Sequence, residues 1–153
     1  LSPQVFIEDL QRLEASIALV NVDQMLLVGR RELKSNNSWM HNIKVLTKGS
    51  LACTAQIHPD DAARLGVITG SPLRIASRVG EIVVPAEVTD SVRPGVVSVP
   101  HGWGHGVPGT QMAVASEKAG VNSNILTDDQ LLDPLSGNAI LSGIPVTVEL
   151  VPA

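Results

Sequence analysis

Residues 73–88 read LRIASRVGEIVVPAEV and decide the fold class, because they hold two runs of alternating apolar and polar residues around a short turn. Alternation of this kind places one side of each run in a core and the other side in solvent. The turn at Arg78-Val79-Gly80 joins the two runs as a β-hairpin. We therefore predict neighbouring antiparallel strands at residues 73–77 and 80–88.

The rest of the sequence predicts further short strands and small helices. The strand candidates are residues 25–28, 52–57, 96–99 and 146–151. Pro59 and two aspartates are typical of a helix start, and Gly66 suits its left-handed end. A helix over residues 3–14 and a helical segment at 113–119 complete the elements. About six short strands in one domain favour a closed barrel, because closure leaves no exposed sheet edge.

Three long polar segments interrupt these elements. They are residues 30–42, 100–110 and 120–138, here called the first, second and third loops, and they are rich in Gly, Ser, Asn and Thr. Connections in compact domains usually have ~4–6 residues, and longer ordered loops are commonly functional. The sequence therefore predicts that the function resides in these three loops.

Composition excludes several classes of partner. The 153 residues carry a net charge of −4 and include two Trp, one Phe and no Tyr, which disfavours nucleic-acid binding. No apolar run approaches the ~20 residues of a membrane span, so we expect no membrane span and a cytoplasmic location. Cys53 is the single cysteine, which excludes a cysteine-based metal or iron–sulfur site in these residues.

Seven short motifs occur in an order that resembles one protein family. They are LVGR (27–30) with SNNSWMHN (35–42), HPDDA (58–62), GSPL (70–73), RPGVV (93–97), PHGWG (100–104), NSNILT (122–127) and DPLSG (133–137). Together they resemble the molybdopterin dinucleotide-binding domain that ends the large subunits of formate dehydrogenases, nitrate reductases and dimethyl sulfoxide reductases. The first loop departs from the commoner family pattern, which has Thr-Gly-Thr-like residues near positions 36–41.

The resemblance implies a mainly β, six-stranded double-psi β-barrel of the aspartate decarboxylase-like type, with short helices and long polar loops. Residues 25–153 would form the barrel, and residues 1–24 a helical connector from upstream domains of the same polypeptide. The implied cofactor is bis-(molybdopterin guanine dinucleotide) with Mo or W. Metal ligand and iron–sulfur cluster would lie upstream, so we expect no activity from these residues alone. Formate dehydrogenase-like chemistry is the first expectation for the parent enzyme, and an electron-transfer subunit stays unidentified.

The resemblance also assigns candidate cofactor contacts to the three loops. They are Arg30, Ser35, Asn36, Asn37, Ser38 and His41 in the first loop, His101, Gly102 and Trp103 in the second, and Asn122, Asn124, Thr127, Ser136 and Gly137 in the third. A guanidinium can grip a phosphate in a bidentate manner, and amide or hydroxyl groups both donate and accept. The alternative for the Ser- and Asn-rich segments is a turn that satisfies its own backbone.

Several residues admit two interpretations. Trp39 is either an anchor packed on the barrel or part of an interface, and we favour the anchor. His101 and His105 lie four apart, but a metal site would need a helix that their glycine-rich surroundings disfavour. A backbone nest facing an anion is the preferred interpretation there, and we predict no metal ligand. The acidic residues of the third loop, Asp128, Asp129 and Asp133, are expected to face solvent, Arg30 or pterin amino groups.

Two other function classes compete with cofactor binding. Gly49-Ser50 and Gly70-Ser71 suit a self-cleaving pyruvoyl-dependent decarboxylase, but that class has no use for the long third loop and would lack a Tyr proton donor. A non-enzymatic barrel that binds a partner or substrate is the second alternative. It leaves the polar first loop without a ligand, so cofactor binding is preferred.

Overall fold

Six β-strands close into one barrel within residues 3–17, 24–49 and 52–152, the residues described by the computed structural model. The strands are β1 (Met25–Arg30), β2 (Ala55–Ile57), β3 (Pro72–Ala76), β4 (Glu81–Val88), β5 (Val96–Pro100) and β6 (Ser142–Leu150). Their order around the barrel is β1-β5-β2-β4-β3-β6. The β1/β5 and β2/β4 pairs are parallel and the others antiparallel. This confirms the predicted mainly β, double-psi barrel.

The alternation that opened the sequence analysis builds the core. β3 and β4 pair antiparallel, with Leu73 opposite Val84 and Ile75 opposite Ile82, so the predicted hairpin is confirmed. Every second residue of each strand points inward. The buried side chains on the strands include Met25, Leu27, Ala55, Ile57, Leu73, Ile75, Ile82, Val84, Ala86, Val97, Val99, Ile144, Val146 and Val148. Branched aliphatic residues dominate because they suit a pleated, half-buried surface.

Three α-helices accompany the barrel in the described residues: α1 (Gln4–Ile17), α2 (Pro59–Leu65) and α3 (Ala113–Ser116). α2 begins at Pro59 and is capped after Leu65 by Gly66, whose φ of 67° is left-handed, as predicted. α1 is confirmed as a helix that runs three residues beyond its predicted end. None of them is long and apolar enough to cross a membrane.

The apolar face of α1 lies uncovered in this part of the chain. Phe6 and Leu10 are 50% and 63% exposed, and none of the helix's described residues is buried. The predicted connector also includes residues 1–2 and 18–23, which lie outside the described residues, as does Ser50 of one Gly-Ser pair. The boundary between connector and barrel stays a prediction.

Candidate functional site

The first and second loops leave the barrel side by side. β1 and β5 run parallel, with Arg30 opposite Pro100, so the segments that follow the two strands leave the barrel at the same end. The His101 N–H donates to the Arg30 carbonyl at 3.1 Å, which extends the pairing into the loops. Ends of parallel strands are where ligands of open sheets and barrels commonly bind.

Glycines allow the second loop to pack against both other loops. A Cβ at Gly102 would lie 1.8 Å from the Asn37 carbonyl oxygen, and one at Gly104 would lie 2.7 Å from the Asn122 Cβ. Both glycines have positive φ, 83° and 105°. The N–H groups of Gly104 and His105 donate to the Ala119 carbonyl at 2.9 and 3.0 Å. We predicted that backbone N–H groups of this loop form a nest that faces an anion. This prediction is wrong for the N–H groups of Gly104 and His105, because both donate to the Ala119 carbonyl.

A cavity of about 280 Å³ lies where the three loops meet the barrel. Leu27 and Val99 give it apolar walls, whereas His101, Asn124 and Thr127 give it polar ones. Its lining also includes Gly29, Arg31, Ser123, Leu141 and Ser142. The structure thus brings together three of the predicted contacts from the second and third loops.

Arg31, which the sequence analysis missed, is the cation of this cavity. It also lines a second cavity of about 300 Å³, whose other lining residues are Glu32, Leu33, Asn36 and Asn37. Strand alternation contains the signal that identifies it. Met25, Leu27, Gly29 and Arg31 lie on one face of β1 and its extension, and the first two are buried in the core. Alternate residues share a face, so Arg31 and not Arg30 points toward the cavity.

Arg30 occupies the opposite face and is engaged within the chain. Its Nε donates to Glu32 at 2.7 Å, its Nη1 to the Ser98 carbonyl at 3.0 Å and its Nη2 to the Thr54 carbonyl at 3.2 Å. Its neighbour Glu87 has a lowered pKa, chiefly because the Thr54 hydroxyl donates to it and also because of Gln56 and Arg30. The structure does not bring Arg30 to the cavity of the predicted third-loop contacts.

The first loop is held in place by two buried polar residues. Ser35 is fully buried and donates its hydroxyl to the Glu32 carbonyl at 2.8 Å. His41 is 2% exposed. Asn36 and Asn37 between them are left-handed, with φ of 43° and 67°, and remain exposed beside Arg31. Ser38 is half-buried and its N–H donates to the Asn36 carbonyl.

Trp39 is 79% exposed, so the predicted anchor on the barrel is wrong. The loop's turns, and not an apolar contact, fix its course, since the Met40 N–H donates to the Ser35 carbonyl and the His41 N–H to the Ser38 carbonyl. Met40 is half-buried. The interface interpretation of Trp39 therefore stays open.

A cluster of aromatic rings joins the first and second loops. His41 Nδ1 lies 2.7 Å from His105 Nε2, and the rings meet edge to face. Trp103 is 7% exposed and its ring centroid lies 4.2 Å from that of His41. Burial, and secondly the neighbouring His105, lower the pKa of His41. Within the described ranges no three His, Cys, Asp or Glu side chains converge as a metal site.

The third loop is shaped by its own capping contacts. Asn122 accepts at 3.0 Å from the Asn124 N–H and caps a 3₁₀ turn at Ser123–Leu126. The Thr127 hydroxyl donates back to the Asn124 carbonyl at 2.7 Å. The Ser136 N–H and hydroxyl both donate to Asp133, so Ser136 and Gly137 form an exposed turn that does not line the cavity.

For Asp128, the expectation that it faces solvent, Arg30 or a pterin amino group is wrong. It is 5% exposed and accepts from Arg78 Nε at 2.6 Å, so it faces neither solvent, Arg30 nor the cavity. The Arg78 hydrogen bond comes first among the causes that lower the pKa of Asp128. This contact ties the third loop to the hairpin of β3 and β4.

The polar atoms left over at this end of the barrel fit a ligand with many donors and acceptors. His41 Nε2, His101 Nε2 and Trp103 Nε1 are buried and have no hydrogen-bond partner among the described residues. An unpartnered buried polar group costs ~1–3 kcal/mol, and of these three residues His101 lines the cavity, so a group bound there could partner its Nε2. With the guanidinium of Arg31 and nearby amides and hydroxyls, the donor set suits a pyrophosphate-linked dinucleotide.

A closed barrel with a mixed polar and apolar cavity at the ends of its parallel strands defines a ligand-enclosing barrel domain. More specifically, the chain belongs to the family described as "Molydopterin dinucleotide binding domain", whose model matches residues 25–145. This confirms the family that the motifs predicted. It also confirms the cofactor class, a molybdopterin dinucleotide.

Relatives of this chain are large subunits of oxidoreductases. The molybdopterin-containing subunit of the arsenate respiratory reductase from Shewanella sp. (strain ANA-3) is 30% identical in an alignment of length 144 that covers 90% of this chain and 17% of that protein. A tetrathionate reductase subunit from Salmonella typhimurium is 29% identical in an alignment of length 110 that covers 61% of this chain and 11% of that protein. The chain thus spans less than a fifth of the length of these relatives.

Among solved structures, acetylene hydratase from Pelobacter acetylenicus has a similar fold. It superposes with a TM-score of 0.70 at 23% sequence identity and covers 90% of this chain and 20% of that chain. At this identity the likeness shows the fold.

Proposed function

We propose that this domain encloses the bis-(molybdopterin guanine dinucleotide) cofactor of a Mo or W oxidoreductase and that Arg31 binds a pyrophosphate of it. The supporting observation is the position of Arg31, which lines both the cavity of about 280 Å³ and the second one of about 300 Å³. A dinucleotide is longer than either cavity, and its phosphates lie near its middle. A guanidinium shared by two cavities suits such a ligand.

The other residues around the cavities orient the ligand. Asn124, Thr127 and His101 offer donors and acceptors for base and pterin edges. Leu27 and Val99 exclude water beside them. When bound, the cofactor supplies the redox chemistry through its metal. The domain's residues bind and orient it, which is how proteins generally assist a cofactor.

The parent protein is a further part of the proposal. We infer that upstream domains of the same polypeptide complete the enzyme and cover the exposed face of α1. Formate dehydrogenase-like chemistry stays a prediction, while the relative that covers 90% of this chain belongs to an arsenate respiratory reductase. The substrate is set by residues beyond these.

The test replaces Arg31 in the full-length polypeptide that carries this domain. Arg31→Met should lower the retained metal and the GMP released by acid hydrolysis, because a charged hydrogen bond contributes ~1.5–3 kcal/mol, or roughly 10- to 100-fold in affinity. Arg93→Met makes the same chemical change on the exposed turn before β5 and serves as the control. Thermal unfolding of both variants checks that the barrel persists.

Equal metal and GMP contents in the Arg31→Met, Arg93→Met and unmodified proteins would contradict the assigned role of Arg31. A general loss in both variants would point to folding instead. Arg30→Met separates the role of Arg30, at the end of β1, from that of its neighbour Arg31. Because Arg30 is bonded to Glu32, Ser98 and Thr54, we expect it to lower the melting temperature more than Arg31→Met does.

A further inference from the structure

Leu126, Thr127 and Asp128 point to opposite sides of the third loop. Leu126 is fully buried in the barrel core, and Asp128 is 5% exposed. Both line a cavity of about 530 Å³, whereas Thr127 lines the cavity of about 280 Å³. The backbone at Thr127 is extended, with φ of −84° and ψ of 131°, and extended backbone turns successive side chains to opposite sides. The side chains before and after Thr127 therefore decide which way Thr127 points.

The Asp128 carboxylate is fixed at both of its oxygens. Its Oδ2 accepts from Arg78 Nε at 2.6 Å and lies 2.5 Å from Arg78 Nη2, and its Oδ1 accepts from the Gln130 N–H at 3.0 Å. Such charge-assisted hydrogen bonds are directional and stronger than neutral ones. The apolar contact of Leu126 anchors the loop without fixing a direction. The Asp128 contacts therefore set the orientation of this part of the loop.

The turn between β3 and β4, which carries Arg78, gives this ion pair a fixed base. The Ser77 N–H donates to the Gly80 carbonyl at 2.9 Å and closes the turn. A Cβ at Gly80 would lie 2.4 Å from the Ile125 carbonyl oxygen, so the turn packs directly against the 3₁₀ turn of the third loop. Because β3 and β4 belong to the barrel wall, Arg78 holds the third loop from a fixed position.

Thr127 passes this orientation on to Asn124. The Thr127 N–H and hydroxyl both donate to the Asn124 carbonyl, at 3.1 and 2.7 Å. The Asn124 N–H in turn donates to the Asn122 side chain at 3.0 Å. Asn124 and Thr127 both line the cavity of about 280 Å³. A shift at Asp128 would thus move two polar groups of the cavity wall together.

We propose that Asp128 is a positioning residue of the ligand cavity and that, paired with Arg78, it aims Asn124 and Thr127 at the bound ligand. The identity of that ligand as the pterin dinucleotide rests on the proposed function. Asp128 acts through the loop and does not touch the ligand, because its side chain lies on the side of the loop away from the cavity of about 280 Å³.

Asp61 provides a matched control, because it makes the same kinds of contact elsewhere. It is 7% exposed and accepts from Arg64 Nη2 at 3.1 Å and from the Gly95 N–H at 2.7 Å. It belongs to α2 and lines neither cavity. An Asn at either position replaces one accepting oxygen with an NH₂ group that cannot accept. Asp61→Asn and Asp128→Asn therefore remove equivalent bonds, but only Asp128→Asn does so beside the ligand cavity.

The test has one arm without cofactor and one with it. In the ¹³C,¹⁵N-labelled 153-residue chain, three-bond couplings between the Thr127 methyl carbon and the backbone report whether the side chain keeps one χ1 rotamer. In the full-length polypeptide, dialysis well below the melting temperature gives the rate at which metal and cofactor, measured as GMP after acid hydrolysis, are lost. Arg78→Met breaks the same ion pair from the hairpin, and Arg31→Met is included in the dialysis arm.

We expect Asp128→Asn and Arg78→Met to average the Thr127 rotamer and to lose cofactor roughly tenfold faster, the lower end of the effect of removing a supporting contact at a metal site. Asp61→Asn should keep one Thr127 rotamer and the unmodified rate of loss.

An unchanged Thr127 rotamer in Asp128→Asn would overturn the proposal. So would equally fast cofactor loss in Asp61→Asn, because the effect would then come from general destabilisation. Unmodified loss in Asp128→Asn alongside faster loss in Arg31→Met would overturn it too, while leaving the proposed function intact. Unmodified loss in Arg31→Met counts against the proposed function alone, since the rotamer measurement needs no cofactor.

Discussion

Gly102→Ala tests whether the three loops form one packed unit. The glycine has φ of +83°, and a Cβ there would lie 1.8 Å from the Asn37 carbonyl oxygen. Left-handed backbone costs a non-glycine residue ~1–2 kcal/mol. The clash involves a backbone atom that cannot rotate away, so the first loop must shift, and overpacking of this kind costs ~1–3 kcal/mol. We expect a loss of about 2–5 kcal/mol in the free energy of unfolding.

Gly109→Ala is the matched control in the same loop. Gly109 has a similar φ of +89°, but no described atom lies within 4 Å of its added Cβ, so only the backbone cost of ~1–2 kcal/mol applies. In a protein of this size 1 kcal/mol shifts the melting temperature by ~2–4 °C. Circular dichroism melts of both variants measure the difference, and amide exchange at Asn37 reports the displaced loop. Equal destabilisation by the two substitutions would refute the loop-packing argument.

Four further outcomes follow from the described contacts. Asp128→Asn should lower the melting temperature at pH 7. Because the Arg78 hydrogen bond lowers the pKa of Asp128, the difference in melting temperature between variant and unmodified chain should shrink as the pH falls below about 3.8. A difference that stays constant with pH would contradict this prediction. Burial lowers the pKa of His41, so unfolded chains bind more protons than folded chains below pH 6.5. The melting temperature of the unmodified chain should therefore fall between pH 6.5 and pH 5, and that of His41→Gln should fall less, as thermal melts at each pH would show. Acrylamide should quench Trp39 in the Trp103→Phe variant far more than Trp103 in Trp39→Phe, given exposures of 79% and 7%, and similar quenching would be inconsistent with these positions. The 153-residue chain alone should neither reduce a dye with formate nor oxidise a reduced dye with arsenate, and any turnover would show that it carries a redox centre.

Local patterns predicted the hairpin, α2 and the last strand because each depends on neighbouring residues. Alternation at residues 73–88 is local, and so is the use of Pro59 and Gly66 to begin and end a helix. The number of short strands predicted a closed barrel, and the family motifs supplied what local patterns lack, namely its double-psi type. The parallel pairing of Leu26 with Val96 joins residues seventy apart, and no short-range signal specifies it.

The candidate site was predicted less completely, for physical reasons that differ between residues. The position of Arg31 beside the cavity follows from strand alternation and could have been predicted from the sequence. Gly102 packs against Asn37 and Asp128 pairs with Arg78, and both partners are distant in the chain. In the sequence, a glycine required for packing cannot be distinguished from a glycine that binds an anion. Trp39 was misjudged because whether an apolar residue is covered depends on its tertiary neighbours.

Arg30, the last residue of β1, and Arg31, the residue after it, lie on opposite faces of the strand and its extension, so the Arg30 guanidinium braces the outer wall of the barrel and the Arg31 guanidinium faces the cavity. A strand's side chains alternate with a period of two, so a slip of one residue exchanges the two faces. β1 already shifts register against β6 between Leu27 and Val28. For anyone grafting this domain onto another protein, a one-residue insertion or deletion in β1 would therefore do more harm than most point substitutions, because it would turn the brace inward and the ligand's arginine outward.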